Sequence, residues 1–423
     1  MSAPLAARAA LLTLVGVTLL ALPLVIVAPA SAATVSTVID GVTYTADDSL
    51  PGAGATATSY TPGPAVIVIP DHVTINLVSY AVTAIGPSAF INATIISITI
   101  PDTVVTIGAQ AFRAANSLVT VDLGHGVQTI GDYAFTNSGH VLAIAIPDSV
   151  TSIGQWAFDS MDLRTLTIGS GLAAIGVQVF SNNNRLQSVV IPPGVTSIAF
   201  AAFAADDLRD LVIGSGVTTI DNFAFAYNNR LATVRIPASV TTVGNSVFQN
   251  NSSGSLLATF EGAAPPTFGS GVFAVSNPSI RYYWRFGDPQ TAGGYTSPTW
   301  KGYPAQAVAT ITFDSAGHGA APTDQDVLVG TAVTQPPAPT DPDLIFAGWT
   351  VSPGGASFDF ATLVTGDLAL EATWTTKPAL AATGSPIGDT PTIATLLLIA
   401  GAFLLFAVRL RRRTPLPART PRS

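Results

Sequence analysis

IPDSVTSIGQWAF, residues 146–158, is written twice more with small changes, as IPDTVVTIGAQAF at 100–112 and IPASVTTVGNSVF at 236–248. Its closing phenylalanine sets the period. It returns at Phe90, Phe112, Phe135, Phe158, Phe180, Phe203, Phe225, Phe248 and Phe273, in steps of 22, 23, 23, 22, 23, 22, 23 and 25 residues. One such phrase cannot bury its own apolar side, but a stack of them can, so the period predicts a solenoid. A slower rhythm runs beneath it. The phrase opens Ile-Pro at 100, 146, 191 and 236, and Leu-Gly or Ile-Gly at 123, 168 and 213, a superperiod of 45–46 residues.

Ahead of each opening stands L-x-x-[LIV]-x-[LI], as in LVTVDL at 118, LRTLTI at 163, LQSVVI at 186, LRDLVI at 208 and LATVRI at 231. Apolar residues in alternation predict a short strand with one buried face. Pro, which lacks an N–H, or Gly, which permits a sharp turn, ends it. The outward positions then fall at Thr99, Asp122, Ala145, Thr167, Val190, Val212 and Arg235, which form the candidate binding face. V-T-x-I-G predicts a second, shorter extended piece. The nine phenylalanines are expected to stack as one internal column, and Asn116, Asn184 and Asn229 to bond turn backbone between coils.

This order of strand, turn, V-T-x-I-G and Ala-Phe resembles the BspA-like, or treponemal-type, leucine-rich repeat over residues 36 to 305. DGVTYTADD at 40–48 and SYAVTAIGPSAF at 79–90 resemble that family's first coil, and ATFEGAAPPTFGSGVF at 258–273 its last. The resemblance implies a mainly β leucine-rich-repeat solenoid of about nine 22–23-residue coils, spanning 33–305 with its caps. Ala199-Phe200 departs from the usual Gly, and Val179 and Val247 from the usual Ala; local repacking without a break is expected there.

Residues 309–376 change character. Phe313, Asp314, Gly317, Gly330, Phe346, Gly348, Trp349, Leu370 and Trp374 carry a resemblance to the InlB B-repeat, or Listeria–Bacteroides repeat. That family implies a small β-grasp-like domain with no catalytic residue, its core here filled by Phe346, Trp349 and Trp374.

Both ends read as addresses. Arg8, an apolar run and Ala30-Ser31-Ala32 predict a secretory signal peptide over 1–32, cut after Ala32. At the other end, 377–423 holds LAATG, an apolar stretch from Thr392 to Val408 and an arginine-rich tail. This order resembles a cell-wall sorting signal of the type read by class E sortases of high-GC Gram-positive bacteria. The resemblance implies recognition of Leu380, Ala381, Ala382, Thr383 and Gly384, cleavage between Thr383 and Gly384, and transfer to peptidoglycan. Before sorting, the helix would hold the precursor in the membrane, with the arginines cytoplasmic.

The composition narrows the chemistry. Cys is absent, so no disulfide can brace the fold. Seven of the 17 basic residues flank the two terminal apolar runs, so positions 33–383 keep 10 against 24 acidic residues, a net charge of −14. So acidic a body disfavours nucleic acid as a partner. His72, His125, His140 and His318 are scattered, which predicts no metal site. Asp47-Asp48, Asp206-Asp207, Asp324/Asp326 and Asp341/Asp343 lack calcium-loop spacing and read as solvated loops. No catalytic residue or cofactor is expected. The aromatic run 281–300 supplies Tyr282, Tyr283, Trp284, Tyr295 and Trp300, either a sugar-stacking platform or, the reading favoured here, the cap of the last coil.

The whole therefore reads as a secreted, wall-anchored surface protein, not an enzyme. It would adhere to, or bind, an unknown protein or glycan ligand through the strand face. The rival readings are a spacer without a specific ligand and, behind it, a wall-tethered hydrolase.

Overall fold

A computed structural model describes residues 34–251, 255–288 and 290–378. The signal peptide with Ala30 and Ala32, the pentapeptide Leu380–Gly384 and the apolar helix expected after it lie outside the described residues.

Short parallel strands stack coil on coil. Eleven rungs form one face: 66–68, 97–99, 120–122, 143–146, 165–168, 188–190, 210–212, 233–236, 256–260, 278–283 and 303–314. The pairing is in register, with Thr99 opposite Asp122, Ala145 opposite Thr167 and Val190 opposite Val212. The nine coils counted from phenylalanine hold the rungs from 66–68 to 256–260, and two further rungs, 278–283 and 303–314, continue the stack at the C-terminal end. The V-T-x-I-G pieces form a second ladder of two-residue strands, such as Thr129–Ile130 and Thr219–Ile220. Ile107, Ile130, Ile198 and Ile220 are buried from it. At the N-terminal end, an antiparallel unit of Thr34–Ile39, Val42–Asp47 and Ala55–Tyr60 covers the first coil.

The phenylalanine column forms as expected. Successive ring centroids from Phe90 to Phe273 lie 4.8–5.6 Å apart with interplanar angles of 5–17°. Tyr60 continues the stack at one end, and Tyr303 closes it edge-on at the other. Around each ring the backbone alternates hand. The residues two before and two after the phenylalanine are left-handed, as at Trp156 (φ 55°) and Ser160 (φ 57°) around Phe158. Such residues cost roughly 1–2 kcal/mol each. In return, the N–H groups of Trp156, Phe158 and Ser160 all point at carbonyls of the next coil.

The superperiod has a steric cause. Gly124 and Gly126 sit against the backbone of Pro101 and Asp102, and a Cβ on either would collide with those carbonyls. The same contacts recur at Gly169 and Gly171, and at Gly214 and Gly216. The Ile-Pro turns at 100, 146 and 191 are therefore each matched by a Gly-x-Gly turn on the next coil. Asp102 and Asp148 complete the fit, accepting the N–H of His125 and Ser170 at 2.7 Å. Those bonds to Ser170 hold the Asp148 carboxyl below its usual range.

At the departures, Val179 and Val247 are fully buried and the inter-coil bond of Ala199 to Ile175 is intact, so the solenoid is unbroken. Phe200 turns outward, 39% exposed, edge-on to Phe223.

The asparagine ladder is displaced by one residue. Asn116, Asn184 and Asn229 are exposed, and the buried column is Ser138, Asn183, Asp206, Asn228, Asn251 and Ser276. Asn183 Oδ1 accepts the N–H groups of Met161 and Leu163, and its Nδ2 donates to the carbonyls of Phe158 and Phe180. With Asn182 left-handed, it is Asn183 that turns inward, not Asn184 two residues before the strand-opening Leu186. Asp206 is thus a correction too, since it is buried and not solvated.

The C-terminal module folds around Ala309, Ile311, Phe313, Val333, Trp349, Val364, Leu370 and Ala372, with Phe346 and Trp374 partly buried against them. The strand Tyr303–Asp314 belongs to both modules. Its first half pairs with Pro278–Tyr283 of the solenoid, and its second half with Leu368–Thr376. The sequence boundary between 305 and 309 falls inside this strand.

Candidate functional site

The strand face is built by alternation. In 188–190, Val189 turns inward, and Ser188 and Val190 turn out. Asp122, Ala145, Thr167, Val190, Val212 and Arg235 are exposed and Thr99 half-buried, so the seven expected positions do form one outward column. Register extends it to Val68 before Thr99, and to Thr259 and Arg281 after Arg235. Apolar members are bare: Val68, Val190 and Val212 are 63%, 58% and 55% exposed.

Its far end is a groove of about 550 Å³, lined among others by Asp210, Val212, Arg235, Thr259, Glu261 and Arg281. Arg235 pairs with Glu261 at 2.8 Å, and this bond raises its guanidinium pKa above the usual range. Arg281 Nε is buried without a hydrogen-bond partner among the described residues.

Two further outward columns were not singled out from sequence. The residues after each strand-opening leucine fall at one exposed position as Val119, Leu142, Arg164, Gln187 and Arg209, with backbone bonds joining Arg164 to Leu142 and Arg209 to Gln187. The residues before it alternate in sign as Asp162, Arg185, Asp207 and Arg230, with ion pairs of 4.0 Å for Arg185–Asp162 and 3.1 Å for Arg230–Asp207. The signal was present in LRTLTI, NRLQSVVI, LRDLVI and NRLATVRI, read one superperiod apart.

The aromatic run is mostly the cap. Tyr295 and Trp300 are buried, packed tilted or edge-on within 4.7–5.7 Å of Phe260 and each other, and Tyr282 is buried beside them. Burial raises the Tyr295 hydroxyl pKa. Tyr283 and Trp284 point instead to the C-terminal module. Tyr283 donates to Asp326 at 2.9 Å, and the Trp284 ring packs on Gly366. Arg285 lies 3.9 Å from Asp367.

Other candidates resolve into structure. His125 is an exposed turn residue. His318 lies 3.1 Å from Asp341, whose carboxyl accepts the N–H groups of Asp343 and Leu344 and is held below its usual range by them. No group of three potential metal ligands occurs among the described residues.

Six copies of the BspA type leucine-rich repeat region match residues 83–198 and 128–255, and the Listeria-Bacteroides repeat domain matches 310–373. Both repeat types typify bacterial cell-surface proteins. Among solved structures, a leucine-rich repeat protein from Bacteroides ovatus is 23% identical, with 58% of this chain and 70% of that one covered and a TM-score of 0.45. The T. pallidum leucine-rich repeat protein is 21% identical, covering 53% and 86%, with a TM-score of 0.31. A leucine-rich cell surface protein from Faecalibacterium prausnitzii is 21% identical, covering 57% and 76%, with a TM-score of 0.35. No curated protein matches the chain.

Proposed function

We propose that this protein is a cell-surface adhesion module that binds an extended ligand along the strand face of its solenoid. The observation that carries the reading is the outward column from Val68 to Arg281, repeated coil after coil and held by in-register pairing within four successive strand groups, 66–122, 143–168, 188–212 and 233–283. A preformed surface of this kind loses little conformational freedom on binding. The ends support the same reading. A signal peptide over 1–32 exports the chain, and a class E sortase cuts between Thr383 and Gly384 and links Thr383 to peptidoglycan. In this arrangement the C-terminal module stands between wall and solenoid, and the shared strand Tyr303–Asp314 makes the joint stiff.

The test places bulk and charge on the face. Ala145→Glu, Thr167→Glu and Val190→Glu together, in the full chain displayed on cells, should abolish adhesion while display is unchanged. Adhesion equal to that of the parent would leave only a spacer.

A further inference from the structure

Resting on that reading, we infer that the middle of the strand face takes a linear acidic polysaccharide whose carboxylate or sulfate recurs once per disaccharide. The body carries a net charge of −14 over 33–383, yet Arg164, Arg185, Arg209 and Arg230 gather on four successive coils. Arg164, Arg185 and Arg230 line a hollow of about 560 Å³ with Gln187 and Asp207. Their roles divide. Arg185 and Arg230 are engaged by Asp162 and Asp207. Arg164 and Arg209 are exposed and form no ion pair among the described residues. Arginine without an internal partner on an acidic body is a site for an external anion.

Spacing selects the kind of anion. Successive coils present Arg164, Gln187 and Arg209 at the same exposed position, the last two joined by a backbone bond, so cation, neutral amide and cation alternate. Coils are 5.3–5.5 Å apart at the neighbouring phenylalanines, so the two free guanidinium groups are rooted roughly 10 Å apart. A sugar ring in a linear chain spans about one coil. A polymer alternating acidic and neutral sugars therefore sets an anion over each arginine and a hydroxyl or amide over Gln187. An acidic peptide fits less well. It advances about 3.4 Å per residue, so a match falls on every third residue, and side chains three apart point to opposite faces. The coil period and the two-coil superperiod thus match a two-sugar repeat.

The full chain displayed on cells is titrated with fluorescent hyaluronan oligosaccharides, with neutral chitin oligosaccharides of equal length and with polyglutamate. The inference expects hyaluronan to bind, to weaken as salt rises, and to lose about tenfold or more in affinity in Arg164→Ser, Arg209→Ser. Both residues are exposed, so the variant should keep the parent's circular dichroism. A conservative Arg→Lys pair should recover part of the loss. Equal binding of the neutral oligosaccharide, tighter binding of polyglutamate, or unchanged hyaluronan affinity in the Ser variant would each overturn it. The outcomes separate from those of the adhesion test. If the triple Glu variant loses adhesion but hyaluronan does not bind the parent, the face is a binding face for another ligand and the polysaccharide inference falls. If that variant adheres normally, the strand-face reading itself falls.

Discussion

Asp206 accepts the backbone N–H of Asn183 at 2.7 Å, at the place where the next coil sets Asn228. Asn228 also donates from Nδ2 to Phe203 and Phe225. A carboxylate can accept like asparagine but cannot donate. Asp206 Oδ2 is buried with no partner found for it among the described residues, which a protonated acid would satisfy by donating. Burial pushes the Asp206 carboxyl pKa well above the usual range, and the nearby Asp159 charge adds to the shift, against the bond from Asn183.

The sign of the pH effect follows. Folded Asp206 keeps its proton where unfolded Asp206, with a pKa near 3.9, has lost it. The folded state then binds more protons, so this group makes stability fall as pH rises above about 4 until the folded pKa is reached, by at most about 1.4 kcal/mol per pH unit. Asp206→Asn should raise the melting temperature at neutral pH and remove that slope. A variant no more stable than the parent at pH 7 would show that the acid is satisfied as a charge.

Asn183 holds four backbone groups across two coils. Asn183→Ala would strand them, at about 1–3 kcal/mol for each buried group left unpaired. Asn184→Ala, one residue on and exposed, should change stability by less than about 0.5 kcal/mol. Chemical denaturation of the two variants side by side measures the difference, and equal losses would refute the ladder register.

Phe158 is the middle ring of the column, 5.3 Å from Phe135 and 5.5 Å from Phe180. Phe158→Ala should cost about 3–5 kcal/mol by opening a cavity. Coils share interfaces, so hydrogen-exchange protection should drop in the neighbouring coils as well.

Trp300 and Trp284 should behave oppositely. Trp300 is buried among Phe260, Phe268 and Tyr295, so Trp300→Ala should lower the melting temperature of the solenoid. Trp284 packs on Gly366 across the joint, so Trp284→Ala should spare the solenoid and loosen the C-terminal module. Limited proteolysis reads the second effect as faster cleavage within 309–376.

Thr383→Ala should leave the protein in the membrane fraction, uncut, if the pentapeptide is a sorting signal. Covalent recovery of that variant in the wall after boiling in detergent would end the sorting reading.

Much of the solenoid was legible because a stack repeats its constraints. Every coil must bury the same face, so Phe90 to Phe273 announce the column and L-x-x-[LIV]-x-[LI] the strands. Glycine at 124 and 126 also announces the two-coil rhythm, although its cause is a carbonyl on another coil. What failed was local register. With Asn182 left-handed, Asn183 turns inward, and backbone handedness at a non-glycine residue leaves no mark in composition. The Asp/Arg columns needed the coils to be aligned in space before their alternation could be seen. By itself the sequence determined the coil, the internal column and the outward strand positions from Thr99 to Arg235. Only the tertiary structure decided which asparagine is buried, that Asp206 is buried beneath the N–H of Asn183, that Trp300 is core, and that one strand joins two modules. Those depend on contacts between residues 20 to 60 positions apart, where burial and pairing are fixed by the stack as a whole and by no single repeat.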